Sequence, residues 1–403
     1  MKLMVVGHPF LFAYNQRKFV AMKRLNPELR LRLVVPSRGR DRFETVDCQI
    51  HPDLDREELV PLPRLGEWHM TYLHPPARMA AVLGDFQPDV VHLEAEPQAL
   101  ITVETIALQR VFAPSAAVSG FSWDNLLRPR RFPLGAAKRR LRRHSLRHLT
   151  AMICGNQRAA ALLRAEGCFA GPIHVLPQYG LDAAEHAPGR ESALRRDLEL
   201  EGAPVIGYAG RMVPEKGLRQ LLEALLSLQS HPWKLLLLGS GPMEDEIPGN
   251  WMPQLPGRIV WLPAVPYQEV ARHLRCADIF VLASYSTPTW VEQFGLALAQ
   301  AMMLGIPCVG SSSGAIPEVL GPGGLCFAEG QASQLAHALE SLLTSPARRQ
   351  QFGIAGRRFA LEHYSAEGVA GKYLEVFESA RKCVGRRAGR AGAVGFESVG
   401  PGR

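Results

Sequence analysis

The chain has 403 residues, 47% hydrophobic and 21% charged, with a formal net charge of +8. That composition excludes a disordered or fibrous chain, and the length leaves room for two domains with separate cores. The positive balance favours anionic ligands or surfaces and says nothing about fold. Seven cysteines are scattered without a C-x-x-C pair, which argues against a disulfide framework or zinc site and for a reducing, cytoplasmic setting. The opening MKLMVVG reads as a strand rather than a signal peptide, because no long apolar core or small-residue cleavage site follows. No window approaches the ~20 apolar residues of a membrane span.

Residues 3–6 are the first expected strand, followed by the turn Gly7-His8-Pro9-Phe10. His8 is either a substrate contact or a structural turn residue. A helix is expected over 17–25, a strand over 31–35 and a helix over 79–83. The apolar run at 88–94 reads as a strand whose tip carries Glu94 and, just beyond, Glu96. A strand at 116–118 leads into a loop holding Trp123, Asp124 and Asn125.

Residues 128–148 then concentrate positive charge: Arg128, Arg130, Arg131, Lys138, Arg139, Arg140, Arg142, Arg143 and Arg147, with a thin stripe of Leu134, Leu141 and Leu149. Such a segment is either a solvated helix face or a peripheral attachment to an anionic membrane surface. Nucleic acid is disfavoured, because no recognised motif or aromatic platform accompanies the charge. A strand at 152–154, a helix at 157–165 and a strand at 173–176 complete this half. Residues 179–190, rich in Ala, Gly and Pro, read as an interdomain linker.

The second half alternates strands (205–209, 235–238, 259–262, 279–282, 307–309, 325–327) with helices (218–228, 267–274, 296–304, 333–343), the pattern of a Rossmann-type parallel sheet. Two further helices are expected at 347–362 and 367–383, and the Gly- and Arg-rich residues 386–403 read as a disordered tail. Three loops stand out. Gly210-Arg-Met-Val-Pro-Glu-Lys-Gly217 presents the cations Arg211 and Lys216 after a strand. Gly239-Ser-Gly241 follows the next strand, a short Gly-x-Gly that alone says little. Glu292-Gln-Phe-Gly295 precedes the helix at 296–304. If Phe294, Gly295 and Leu296 open that helix, their amides lack intrahelical partners and sit at the positive end of its dipole, which suits a diphosphate.

Glu292, Phe294, Gly295, Gln300, Ala301, Gly305, Pro307, Gly314 and Glu318 together resemble the signature of retaining glycosyltransferase family 4 (glycosyl transferases group 1) on the GT-B fold. The resemblance implies two Rossmann-like α/β domains facing across a cleft: an acceptor-binding domain at 1–180 and a nucleotide-sugar domain at 191–365. A crossover helix at 366–385 would return to the first domain. It also implies Glu292 on the donor sugar, Arg211 and Lys216 on the diphosphate, and Gly210, Gly239, Gly241, Phe294, Gly295 and Leu296 around the donor. Gln300 stands where the family carries a second glutamate for the nucleotide ribose; an amide still accepts one hydrogen bond and donates another. His8, Glu94, Asp124 and Asn125 would border the acceptor or sugar, and the loop histidine of many relatives is replaced by the Trp-Asp-Asn sequence. The resemblance implies no metal, so neither metal nor cofactor is expected beyond the nucleotide-sugar co-substrate. The activity implied is transfer to a saccharide, lipid-linked sugar or small-molecule hydroxyl, in polysaccharide, glycolipid or glycoconjugate biosynthesis. The competing readings are a GT-B sugar phosphorylase and a non-catalytic nucleotide-sugar-binding scaffold.

Overall fold

The computed structural model describes residues 1–40, 45–66, 70–126 and 134–393. They divide into two units, one of Met1–Gly180 with the residues from Val369 onward, the other of Leu181–Gly368.

The first unit carries β1 (Lys2–Val6), β2 (Arg30–Pro36), β3 (Arg38–Arg40), β4 (Thr45–Asp47), β5 (Leu59–Leu62), β6 (Val90–Leu93), β7 (Ala117–Ser122), β8 (Ala151–Cys154) and β9 (Ile173–Val175). β3 and β4 form a small antiparallel hairpin, while the other seven pair in the order β5-β2-β1-β6-β7-β8-β9, every pair parallel. β6, β7 and β8 are buried at every position, which is why they read as apolar runs rather than alternating patterns. The strand order reverses between β1 and β6.

Helices cover this sheet. Gln157–Ala165 starts where Asn156 caps the Ala159 amide at 2.8 Å, a bond that contributes about 1 kcal/mol. Leu100–Phe112 is a helix that the sequence alone did not mark. Its Ile, Thr and Val residues suit a strand as well as a helix. Burial of Ile101, Thr102, Thr105, Ile106 and Gln109 at helical spacing against the sheet decides it. The basic segment forms the helix Leu134–His148; Arg128, Arg130 and Arg131 lie outside the described residues.

The second unit holds β10 (Val205–Ala209), β11 (Lys234–Leu238), β12 (Ile259–Leu262), β13 (Ile279–Leu282), β14 (Cys308–Ser311) and β15 (Gly324–Phe327). They pair in the order β12-β11-β10-β13-β14-β15, again all parallel. The helices Leu218–Leu226, Tyr267–Leu274, Leu296–Met303 and Ala332–Leu343 fall where the sequence pattern places them. Their apolar faces close a core around Trp233, Leu221, Leu235 and Leu339, each such side chain contributing roughly 1.5–3 kcal/mol on burial.

The last helix, Ala366–Ala393, corrects one expectation. It continues through 386–393, where an unstructured tail was expected, because Ala and Arg are strong helix formers that outweigh the glycines. Residues 394–403 lie outside the described residues. No described helix is long and apolar enough to cross a membrane.

Candidate active site

In the second unit, strand order reverses between β10 and β13. In open α/β sheets a ligand crevice forms at such a reversal, beyond the carboxyl ends of the strands. Lys216 comes from the loop after β10 and Glu292 from the loop after β13. Lys216 Nζ donates to Glu292 Oε2 at 2.6 Å, and Ser284 Oγ donates to the same oxygen at 2.9 Å. The Trp290 ring lies 5.2 Å from the Lys216 ammonium, close enough for a cation–π contact.

Glycines hold these loops together by close approach. Gly217, at φ +72°, closes the short Pro214–Lys216 turn, and a Cβ there would stand 1.9 Å from the Ala283 carbonyl oxygen. Gly314, at φ +53°, presses on the Glu292 backbone, where a Cβ would meet the carbonyl oxygen at 2.1 Å. The Ala315 amide donates to that same oxygen at 3.1 Å. Glu292 is therefore fixed through both backbone and carboxylate, and is only 6% exposed.

Gly239 packs directly on the Gly210 carbonyl and Gly241 on that of Met212. The Met212 amide also donates to the Ser240 carbonyl at 3.0 Å. The loops after β10 and β11 are thus zipped side by side, bringing Gly210, Gly239 and Gly241 together. Arg211 is exposed, and its carbonyl accepts from the Tyr208 hydroxyl at 2.9 Å. Burial pushes the Tyr208 phenol up, Glu292 adds to that shift and Arg211 opposes it; both charges therefore bear on one side chain.

The helix Leu296–Met303 is capped by Gly295 in the left-handed region, at φ 85° and ψ 57°. Leu298 and Ala299 are the first amides to donate within it, both to the Gly295 carbonyl, which leaves Leu296 and Ala297 pointing ahead of the helix. Phe294 lies before the cap rather than in the helix; its ring meets Tyr364 edge-on at 5.4 Å. Gln300 lies on this helix. It is 3% exposed, and its side-chain nitrogen lies 3.2 Å from His186 Nε2.

In the first unit, Gly7 lets β1 approach the tip of β6: a Cβ there would stand 2.7 Å from that of Glu94. His8 begins a short turn, its ring 6.3 Å from that of Tyr72. Glu94 does not line an open surface. It is 1% exposed, ion-paired with Lys18, 3.2 Å from His92 Nε2, and accepts from Gln178 Nε2 at 3.0 Å. Lys18 sits among the rings of Phe10, Phe19 and Tyr373. A carboxylate this deep needs a cation beside it, so its role here is structural. Nothing in the sequence distinguished Lys18 from a surface lysine; the signal was its place among Phe19, Val20 and Met22 on a mostly buried helix.

Asp124 remains part-exposed, whereas Asn125 is buried. Asp124 belongs to a group around Arg142, which is buried rather than part of a solvated basic face. Arg142 Nε donates to Glu166 at 2.8 Å, and its Nη1 lies 3.8 Å from Glu96 and 3.9 Å from Asp124. Glu96 in turn accepts from Ser122 Oγ at 2.6 Å and the Trp123 amide at 2.7 Å. Burial, then the neighbouring Asp124 carboxylate, pushes the Glu96 carboxyl up to about 7, against the opposing pull of Ser122, Arg142 and the Trp123 amide.

Residues 190–359 match the family model described as glycosyl transferases group 1. Over 245 residues the chain is 28% identical to the 2-deoxystreptamine glucosyltransferase of Streptomyces kanamyceticus, spanning 59% of this chain and 62% of that one. It is also 28% identical over 209 residues to the GDP-mannose-dependent monoacylated alpha-(1-6)-phosphatidylinositol monomannoside mannosyltransferase of Corynebacterium glutamicum, spanning 50% and 55% of the two chains. The matches thus cover only about half to three-fifths of these curated relatives. Among solved structures, Anabaena HepE in complex with UDP aligns over 94% of this chain and 100% of its own, at a TM-score of 0.70 and 16% identity. That likeness shows a shared fold, two Rossmann-like units of the GT-B type. Over residues 190–359, the chain is thus similar to the glycosyl transferases group 1 family.

Proposed function

We propose that the protein is a retaining glycosyltransferase that moves a sugar from a nucleotide-diphosphate sugar to an acceptor hydroxyl. The observation that carries this reading is the Lys216–Glu292 pair at the strand-order reversal, beside the Gly295-capped helix. An ammonium has three donors. One holds Glu292, and the others are left for phosphate oxygens. Glu292 then orients the cation and accepts from hydroxyls of the donor sugar. Arg211 and the amides at Gly295 and Leu296 complete the cradle for the diphosphate, and Gln300 meets the nucleotide ribose.

The chemistry follows from where charge develops. Breaking the bond from the sugar carbon to the diphosphate loads negative charge on the leaving oxygen, and fixed donors aimed there lower the barrier by a few kcal/mol each. The leaving phosphate takes the acceptor proton, so no separate protein base is needed. HepE was solved with UDP, and the two relatives are named for glucosyl and mannosyl transfer, which supports a hexose donor. The seven free cysteines support a reducing, cytoplasmic setting.

The helix Leu134–His148 supports an acceptor at an anionic lipid surface. Lys138, Arg139, Arg140, Arg143 and Arg147 are all exposed on it, and each cation contributes about 1 kcal/mol near such a surface. Val111 and Phe112, exposed at 69% and 42%, follow Arg110, which reaches His148 at 3.3 Å; they add apolar anchors beside the basic helix.

The test is a melting-point series with UDP-glucose, GDP-mannose and the free nucleotides. A donor at a hundredfold excess over its Kd adds about 2.7 kcal/mol to folding, and release of UDP or GDP should follow when an acceptor is supplied. A melting point that no nucleotide or nucleotide sugar moves would overturn the reading.

A further inference from the structure

Gln300 and His186 form a buried pair, 3% and 1% exposed. His186 precedes the segment matched to the family. Its Nδ1 lies 2.9 Å from the Asp182 carbonyl oxygen. A carbonyl oxygen only accepts, so Nδ1 carries the hydrogen. In a neutral imidazole the other nitrogen then presents a lone pair, which only a donor can satisfy. Gln300 offers an N–H to His186 Nε2 at 3.2 Å. A carboxylate in the same place would set lone pair against lone pair.

The loop carrying His186 is clamped on several sides. The Arg357 guanidinium donates to the His186 carbonyl at 3.0 Å and also to the Met303 carbonyl at the end of the Gln300 helix. Arg275 donates to the carbonyls of Glu185 and Ala187. The Asp182 carboxylate accepts from the Ala184 and Glu185 amides at 2.8 and 3.0 Å. The charged groups on this loop or bonded to it in these contacts are Asp182 and Glu185, Arg275 after the Tyr267–Leu274 helix and Arg357 on the Pro346–Tyr364 helix. The Leu296–Met303 helix presents the uncharged Gln300.

We propose that His186 is a positioning residue for the nucleotide: by taking the Gln300 N–H, it leaves the amide oxygen as the acceptor offered to a nucleotide hydroxyl. Glutamine stands at 300 because a neutral His186 requires a donor there. This rests on the reading of Gln300 as a nucleotide contact. Gln300→Glu therefore makes His186 take up a proton to satisfy the carboxylate. The imidazolium–carboxylate pair persists at low pH and is lost as pH rises through the imidazolium pKa.

The experiment combines nitrogen NMR of His186 in the ligand-free full chain with UDP and GDP titrations from pH 6 to 8. The wild type should show the neutral Nδ1–H tautomer throughout and an affinity insensitive to this titration. Gln300→Glu should show hydrogens on both ring nitrogens at pH 6 and bind progressively more weakly as pH rises. His186→Ala should weaken binding about tenfold, the worth of one oriented hydrogen bond. If His186→Ala does not fold, Gln300→Glu still carries the test. An Nε2–H tautomer in the wild type, or a His186 that titrates alike in wild type and Gln300→Glu, overturns the proposal. So does unchanged affinity in His186→Ala while the wild type binds. A wild type with the expected tautomer that binds neither nucleotide overturns instead the nucleotide reading beneath it.

Discussion

Lys216 Nζ and Glu292 Oε2 meet at 2.6 Å although 76 positions separate the two residues. The contact exists because β10 and β13 are neighbours in the sheet, and each supplies the loop that follows it. Lys216→Ala should lower transfer by about a hundredfold or more, the usual cost of one charge-stabilising donor. Its folding stability should fall by only about 1–3 kcal/mol, because Ser284 still donates to Glu292. Product formation and urea unfolding on the same preparation separate the two effects, and near-normal transfer contradicts the role given to Lys216.

The glycines that seat Glu292 give a second prediction. Gly314→Ala places a Cβ 2.1 Å from the Glu292 carbonyl oxygen at φ +53°. It should cost about 1–3 kcal/mol through overpacking and backbone strain and reduce transfer as well. Gly167→Ala is the control: φ is +61° but nothing lies within 4 Å. Its loss should be near 1 kcal/mol, without effect on turnover. Equal losses for the two variants would mean that the close approach is not what requires glycine at 314.

The buried Lys18–Glu94 pair makes stability acid-sensitive. At Glu94, burial alone would raise the carboxyl, but Lys18 and His92 outweigh it and bring it to about 2, from an ordinary 4.5. At Lys18, burial lowers the ammonium and Glu94 only partly offsets it. The two partners thus point in opposite directions. Glu94 is the better guide, having Lys18, His92 and Gln178 around it where Lys18 has one carboxylate. Because the folded value lies below the unfolded one, this stabilisation is present above about pH 4.5 and lost as pH falls toward 2. Lys18→Met alone, which strands the carboxylate, should cost about 3–5 kcal/mol; Lys18→Met with Glu94→Leu should recover much of that. Chemical unfolding from pH 3 to 7 reads both.

Glu96 predicts the opposite slope. Its folded carboxyl, near 7, lies above the ordinary 4.5, so the folded state holds a proton that the unfolded chain has released. Its contribution is present below about pH 4.5 and is lost as pH rises through 7. Glu96→Gln should flatten the stability profile between pH 5 and 8. An unchanged slope would show that Glu96 ionises normally beside Arg142.

Vesicle binding tests the basic helix. Arg139, Arg140 and Arg143 changed together to Gln should weaken binding to phosphatidylglycerol vesicles by roughly a hundredfold, at ~1 kcal/mol per cation, and leave neutral vesicles unaffected. Equal binding of the wild type to both vesicle types would remove the lipid surface from the proposed function.

Much of the architecture was legible in the amino-acid order. Strands buried on both faces must be apolar throughout, and helices must place their apolar residues three or four apart. Those local demands mark β10, β12, β13 and the helices Arg17–Leu25 and Gln157–Ala165 at the bounds they adopt. The same logic marks Gly217, Gly295 and Gly314, where loop and helix-start patterns concentrate glycine. What the order of residues did not reveal is which polar groups meet. Glu94 read as a ligand contact, yet Lys18, 76 positions away, takes it up in the folded chain, and Gln300 meets His186, 114 positions away. Pairing at that separation depends on sheet order and register, and a buried charge or lone pair takes its partner from whatever tertiary packing brings within 3 Å. Periodicity is a property of the chain; hydrogen-bond satisfaction is a property of the fold.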